Sequence, residues 1–507
     1  MNKFKYLTAL GCRLRIFAGL LLLIATPAIA QVNELPRSNP EAEGIPSAAV
    51  IQLFDSLTSY PHSDIHSVIV MRHGKVVAEL YPEPYKAEYR HTMYSCSKTF
   101  VSLAVGIAVD EFKLRVTDRV ATFFSDQLPN NLSFELASMT VHDLLIMASG
   151  INPDGNLRAV NDNWIKAYLS HTVRTPGKNF RYDSLCTYLL SAIIQKVTGM
   201  TTLDYLKQKL FRPMHITEVS WEESPEGYNV GGWGLHIQCE SLAKIGQLLL
   251  QKGRWQGKQL VSEKWVKLMM TNHIAVNGEH TAFYGYQMWS CPPKGSFCAD
   301  GRLGQFILVM PEQDMVVAIT QCSWHPQLRF VWEILSPRLS GGPLAQGKDY
   351  DRLQEEISRY SYPTLTGKSS SQLMKEMEGK TYKFGANEFG WETLSFEQQK
   401  NVMMMHVRDR YGKSYSLSLG FKEWLTSEVD GYPLYSMNAR QKFKGVKGPF
   451  YMAGCYAWDK QSLNFRIEYV NWISAAEITL TPEDGQILLN VRKNYQPQME
   501  TMRGIAQ

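Results

Sequence analysis

Ser95-Cys96-Ser97-Lys98 sets a hydroxyl and an amine three residues apart, at the mouth of an apolar run from Thr99 to Val109. On a helix, residues at that spacing share a face, so the two side chains meet. A serine hydroxyl is a poor nucleophile at neutral pH and needs a base within hydrogen-bond reach. Lysine can be that base where burial disfavours its charged form. The stretch Phe100 to Val109 is apolar nearly all round, the pattern of a helix buried in a domain centre. A lysine buried there is costly unless it works neutral. The competing reading is an N-cap serine followed by a surface lysine. The buried helix and the partners downstream favour nucleophile plus base.

Two further segments supply those partners. Phe180-Arg181-Tyr182-Asp183-Ser184 precedes a predicted helix over Leu185 to Val197. A tyrosine at a helix N-terminus beside a lysine can act as a phenolate-like base and proton shuttle. Ala299-Asp300-Gly301-Arg302 leads into a predicted strand, Gly304 to Met310. A glycine-bearing edge strand admits substrate to the backbone and supplies an oxyanion-hole N–H.

The elements that must position these residues are legible as periodicities. Ala48 to Ser59 reads as a helix; Ser67 to Arg72 and Val76 to Tyr81 flank His73-Gly74-Lys75 as a β-hairpin. Thr140 to Asp143 forms a capping box ahead of Leu144 to Ala148. Helices follow at Ser241 to Gln251 and Trp265 to Thr271, then a second hairpin of Gly304 to Met310 and Met315 to Thr320. Helices bracketed by antiparallel hairpins indicate an α+β layered domain over residues 35–340. Residues 341–368, richer in Gly, Pro, Ser and charge with one short helical stretch, read as a linker. Residues 369–507 change to period two, at 403–408, 414–421, 464–470, 478–480 and 487–491. This predicts a smaller, mostly β C-terminal domain, a barrel or sandwich.

Ser-x-x-Lys on a buried helix, Tyr-x-Ser on a loop and a glycine strand, in that order, resemble the serine β-lactamase and penicillin-binding protein superfamily. Leu35 to Ser38, Thr140 to Gly150 and the strand from Gly304 to Pro311 extend the likeness over roughly residues 38–335. It is most similar to the class C-related branch that holds esterases and 6-aminohexanoate-dimer hydrolases. The resemblance implies a β-lactamase-like fold, an antiparallel sheet flanked by helices plus a helical subdomain. It implies Ser95 as acylated nucleophile, Lys98 as proton acceptor and Tyr182 as proton shuttle, with the N–H groups of Ser95 and Arg302 as oxyanion hole. Substrate contacts are expected from Ser184, Gly301, Arg302, Asp183 and Trp233. Two departures argue against a β-lactamase or peptidoglycan DD-peptidase: Ser184 replaces an asparagine, and Ala299 replaces a lysine or histidine. The expectation is a small amide or ester as substrate, with a cell-wall peptide as the alternative, and neither metal nor cofactor. A non-catalytic sensor on the same fold is the remaining rival.

The whole chain adds bounds. Lys3, Lys5, Arg13 and Arg15, the apolar stretch Ile16 to Ile24 and Ala28-Ile29-Ala30 make residues 1–30 a signal peptide cut after Ala30. The apolar core is too short for a stable membrane span, so a periplasmic or secreted destination is expected. Without it the net charge falls from +5 to near +1, and no basic block suggests nucleic acid as partner. Cys291 and Cys298 would close a small disulfide loop in an oxidising compartment; two free thiols are the other reading. Cys96, Cys186, Tyr94, His325 and Met403 to Met405 read as packing or structural residues. Asp183 reads as a helix cap or as a contact for a substrate amine, and Gly231 to Gly234 as a pocket wall or a turn.

Overall fold

The computed structural model describes residues 34–276, 283–435, 437 and 439–507. The expected signal peptide lies outside the described residues, among which no helix is long and apolar enough to cross a membrane.

Two sheets organise the chain. The first runs β1 (Ser63–Arg72), β2 (Lys75–Leu80), β3 (Ile274–Ala275), β4 (Phe283–Tyr284), β5 (Trp289–Ser290), β6 (Phe297–Gly301), β7 (Gln305–Met310) and β8 (Met315–Ser323). Its spatial order is β2-β1-β8-β7-β6-β5-β4-β3, antiparallel throughout. β8 is buried along its whole length because both faces are covered. Val316 and Ala318 face the core that holds the buried helix α2 (Ser97–Asp110). Met315, Val317 and Ile319 face the core beneath α1 (Ser47–Thr58).

On the α2 side lie α3 (Ser184–Thr198), α4 (Cys239–Leu250) and α5 (Glu263–Met269). α2 accepts its neighbours closely where it lacks a side chain: a Cβ on Gly106 would stand 2.2 Å from the Trp265 ring. The capping box at Thr140 and Asp143 is present, but its helix spans Val141–Leu145, starting and ending earlier than the apolar run suggested. The expected linker is more ordered than its composition implied. It contains α6 (Lys348–Arg359), whose Leu353 is fully buried in the core under α1.

The second sheet has ten strands: β9 (Thr381–Phe384), β10 (Trp391–Gln399), β11 (Val402–Asp409), β12 (Ser414–Phe421), β13 (Leu425–Val429), β14 (Phe450–Trp458), β15 (Leu463–Glu468), β16 (Ala475–Glu483), β17 (Gln486–Lys493) and β18 (Met499–Ala506). The order β12-β11-β10-β9-β18-β17-β16-β15-β14-β13 is closed by a parallel pairing of β12 with β14, giving a barrel. The closure needs Gly454, where a Cβ would lie 2.2 Å from Leu419. Met403 and Met405 are barrel core, as their pattern predicted. The architecture is thus α+β, followed by a mostly β domain.

The barrel docks on the α+β layers through polar contacts. Tyr85 donates to Glu468 (2.9 Å), which accepts from Arg466 (2.6 Å). Asn494 reaches Asp64 (3.0 Å), and Trp324 donates to the Asn494 carbonyl (2.6 Å). His91 Nδ1 lies 2.8 Å from the Thr92 carbonyl, an acceptor only, so that nitrogen carries the proton. His91 Nε2 then accepts from His66 Nδ1 at 2.8 Å, and burial keeps both rings neutral, with His91 brought down to about 4.

Candidate active site

Ser95 lies on a 3₁₀ turn, Tyr94–Cys96, that runs directly into α2, rather than on the first turn of the helix itself. The turn is clamped from several sides. Met93 N–H donates to the Leu235 carbonyl (2.8 Å), Leu235 N–H to Ser97 Oγ (3.1 Å), and Cys96 Sγ to the Gln305 carbonyl (2.9 Å). Tyr94 is held at φ 42°, left-handed for a bulky residue, and its buried ring belongs to the barrel's core.

Lys98, one helical turn on, is fully buried. Its Nζ lies 3.0 Å from Ser95 Oγ, 3.1 Å from Ser184 Oγ and 2.6 Å from the Gly232 carbonyl. Burial, opposed by the charge of Asp183, brings its pKa down to about 7. A neutral amine suits this setting: two N–H donors serve Gly232 and Ser184, and the lone pair accepts from Ser95. The Tyr182 ring lies 4.7 Å from Lys98 Nζ. Burial pushes its phenol well above the ordinary value, against a hydrogen bond with Ser95 that lowers it. Tyr182 therefore rests as a neutral phenol, not as the phenolate-like base that its position suggested.

These groups open on a cavity of about 360 Å³ that Ser95, Tyr182, Ser184, Trp233 and Arg302 help to line. Sequence reasoning thus gathered most of the site. Two residues differ. Asp183 caps α3 through Leu185 N–H (2.9 Å) and accepts from Tyr168 (2.7 Å), so its carboxylate is occupied away from the cavity. Gly301 gives close passage to the chain rather than to substrate: a Cβ there would stand 2.4 Å from the Met93 carbonyl. Of Gly231 to Gly234, Gly232 and Trp233 form pocket wall, and Gly232 must lack a side chain, since a Cβ there would meet the Ser184 carbonyl at 2.5 Å. Cys291 and Cys298 are free thiols, hydrogen-bonded to each other across the β5–β6 hairpin.

Tyr94 and Asp300, neighbours of marked residues, also line the cavity, whereas Arg158, Trp289 and Met437 were not marked by any local motif. Arg158 stacks on Trp233, 4.7 Å from its ring. Trp233 donates to buried Glu222 (3.1 Å), which also accepts from Tyr435 of the barrel domain and is pushed up to about 7 by burial. Met437 and Tyr435 precede β14, so the barrel contributes part of the cavity wall.

A profile of the β-lactamase family matches residues 41–333. A 6-aminohexanoate-dimer hydrolase of Paenarthrobacter ureafaciens is 22% identical over 334 residues, spanning 61% of this chain and 84% of its own. Among solved structures, a Bacillus anthracis protein assigned as a 6-aminohexanoate-dimer hydrolase aligns over 60% of this chain and 85% of its own, with a TM-score of 0.50 and 18% identity. An octameric penicillin-binding protein homologue from Pyrococcus abyssi aligns over 90% and 98%, with a TM-score of 0.47 and 17% identity. With that profile matching more than half its length, the chain belongs to the β-lactamase family of serine hydrolases.

Proposed function

We propose that this enzyme hydrolyses small amides or esters through an acyl-enzyme on Ser95. The observation that carries the reading is the 3.0 Å contact between Ser95 Oγ and a buried Lys98 whose amine is brought to about 7. Ser95 Oγ attacks the substrate carbonyl carbon while its proton passes to Lys98 Nζ. The oxyanion is held by the N–H groups of Ser95 and Arg302. Tyr182 hands a proton to the leaving amine or alkoxide, the carbonyl–leaving-group bond breaks, and the acyl group stays on Ser95. Water then attacks the ester, giving up a proton to the same pair, and Ser95 leaves with its hydrogen restored. Each proton transfer of this kind is worth roughly 10²–10⁴-fold.

The Paenarthrobacter relative, named a 6-aminohexanoate-dimer hydrolase, supports a small amide as substrate. Ala299, buried where penicillin-recognising members carry a cation, weighs against penicillins. The reading includes export after cleavage at Ala30, which N-terminal sequencing of the mature protein tests. The mechanism is tested by intact-mass spectrometry after brief exposure to a short-chain activated ester, a linear ω-amino amide and a penicillin. Turnover or an adduct with ester or amide, abolished in Ser95→Ala, is the expected result. A lasting penicillin adduct would favour a peptidoglycan enzyme, and silence toward all three a sensor.

A further inference from the structure

Behind the nucleophile runs a buried polar chain that the hydrolytic steps leave unused. It ends on Asp183, which stands between Tyr182 and Ser184 and is itself buried. Asp183 Oδ1 accepts from Leu185 N–H (2.9 Å) at the start of α3, and Oδ2 accepts from the Tyr168 hydroxyl (2.7 Å). Tyr168 has one proton and gives it to Asp183, so the Ser149 hydroxyl, 2.9 Å away, donates to Tyr168. Ser149 Oγ in turn accepts from Ile151 N–H (3.2 Å). Every hydrogen of the chain points toward Asp183, an arrangement that suits a carboxylate rather than a carboxylic acid. Burial raises the Asp183 carboxyl, and the bonds from Leu185 and Tyr168 oppose that rise. The backbone is fastened at the same place: Arg181 N–H donates to the Met147 carbonyl (2.8 Å), and the Arg181 guanidinium to the Ile151 carbonyl (2.8 Å).

That carboxylate is placed to act on Lys98. When Ser95 gives up its proton, Lys98 becomes an ammonium in a buried position, and a buried cation is costly without an opposite charge. Its hydrogen-bond partners, Ser95, Ser184 and the Gly232 carbonyl, carry none. Apart from burial, the foremost group acting on Lys98 is Asp183, which favours the ammonium; Arg158 opposes it, and the Cys186 and Cys96 thiols contribute less. The ring beside it, Tyr182, is a neutral phenol. Asp300 faces the cavity, has no hydrogen-bond donor among the described residues and is pushed up to about 7. Of the two carboxylates that bear on Lys98, Asp183 is thus the one held by protein donors.

We infer that Asp183 is a positioning residue of the acylation step: its carboxylate, held by Tyr168, supports the ammonium that forms on Lys98 and fixes the turn that presents Tyr182 and Ser184. This rests on the hydrolase reading above. The test follows kcat and KM for p-nitrophenyl acetate from pH 5 to 9 in wild type, Asp183→Asn and Tyr168→Phe. Asparagine caps a helix as well as aspartate does, so Asp183→Asn should keep the wild-type far-UV circular dichroism. Loss of the negative charge should make Lys98 a weaker base and move the acid limb of kcat/KM about one pH unit or more to lower pH. On the plateau kcat should fall by about three- to tenfold with KM unchanged. Tyr168→Phe keeps the carboxylate but removes its donor, so the Asp183 carboxyl rises further and the limb should move the same way by less. If kcat falls while the limb stays in place or moves up, Asp183 is a helix cap only and the inference fails; it fails equally if neither variant differs from wild type. Should Asp183→Asn not fold, the position of the Tyr168→Phe limb decides alone. All of these outcomes leave the hydrolase reading standing, whereas a wild type that turns over no ester at any pH brings both down.

Discussion

As the proposed base, Lys98 works only in the form that burial favours, and this fixes both its replacement and its pH behaviour. Arginine keeps its proton at any accessible pH, so Lys98→Arg should lose roughly 10²–10⁴-fold in kcat/KM despite the retained length and donors. In the proposed mechanism, activity requires the neutral amine. With its pKa at about 7, kcat/KM should fall as pH drops below that value and level off above it. A profile flat from pH 5 to 9 would count against Lys98 as base. Ser95, Lys98, Tyr182 and Ser184 were legible because their chemistry depends on local spacing along α2 and before α3. Of the two readings of Asp183 the helix cap holds and the substrate contact does not, because the cap and Tyr168 take both carboxylate oxygens, a direction that a sequence does not show. Arg158, Trp289 and Met437 carry no signal of their own; only the folded chain brings them together.

Among the elements, β6 and the turn before α2 are joined by the narrowest gap in the site. The Met93 carbonyl occupies the space a side chain at position 301 would need. Gly301→Ala should therefore push β6 away from Ser95, separating the two N–H groups proposed for the oxyanion. Because displacements near 1 Å can cost about 10²-fold, we expect kcat to fall by that order while far-UV circular dichroism stays that of wild type; unchanged kcat would show that the strand shifts freely. Period and turn chemistry revealed the hairpins, α1, α3, α4 and several barrel strands, since each has one apolar face or a glycine stop. They missed β9, β10, β13, β14 and β18: β9 and β13 are short, β10 and β18 are half-exposed with polar residues in the alternation, and β14 is buried at nearly every residue, so it does not alternate. α6 was underestimated because a helix anchored by one buried leucine looks like polar linker.

At the scale of the molecule, the barrel is a structural part of the hydrolase rather than an appendage. It shares the Arg466–Glu468–Tyr85 cluster, seats Tyr94 in its core and lends Met437 to the cavity. Removing one member of such a buried charged cluster costs about 3–5 kcal/mol. The full chain should accordingly unfold in one transition by calorimetry, and a chain lacking residues 369–507 should give no soluble, active monomer. Two separate transitions, with ester hydrolysis surviving the first, would show the halves to be independent. The expectation of a mostly β second domain came from period two alone; its intimacy with the site could not, because the contacts join residues hundreds of positions apart.

Tyr94, wound left-handed beside the nucleophile and seated among barrel residues, also sets a timetable. A ribosome delivers the SxxK segment long before the strands that receive that ring, and at ordinary elongation rates the lag is on the order of tens of seconds. The barrel closes only when β18 pairs with β9. A half-translated chain consequently carries its serine and lysine without the seat that aligns them. Alignment of the nucleophile therefore depends on a closed barrel whose strands lie hundreds of residues further along the chain.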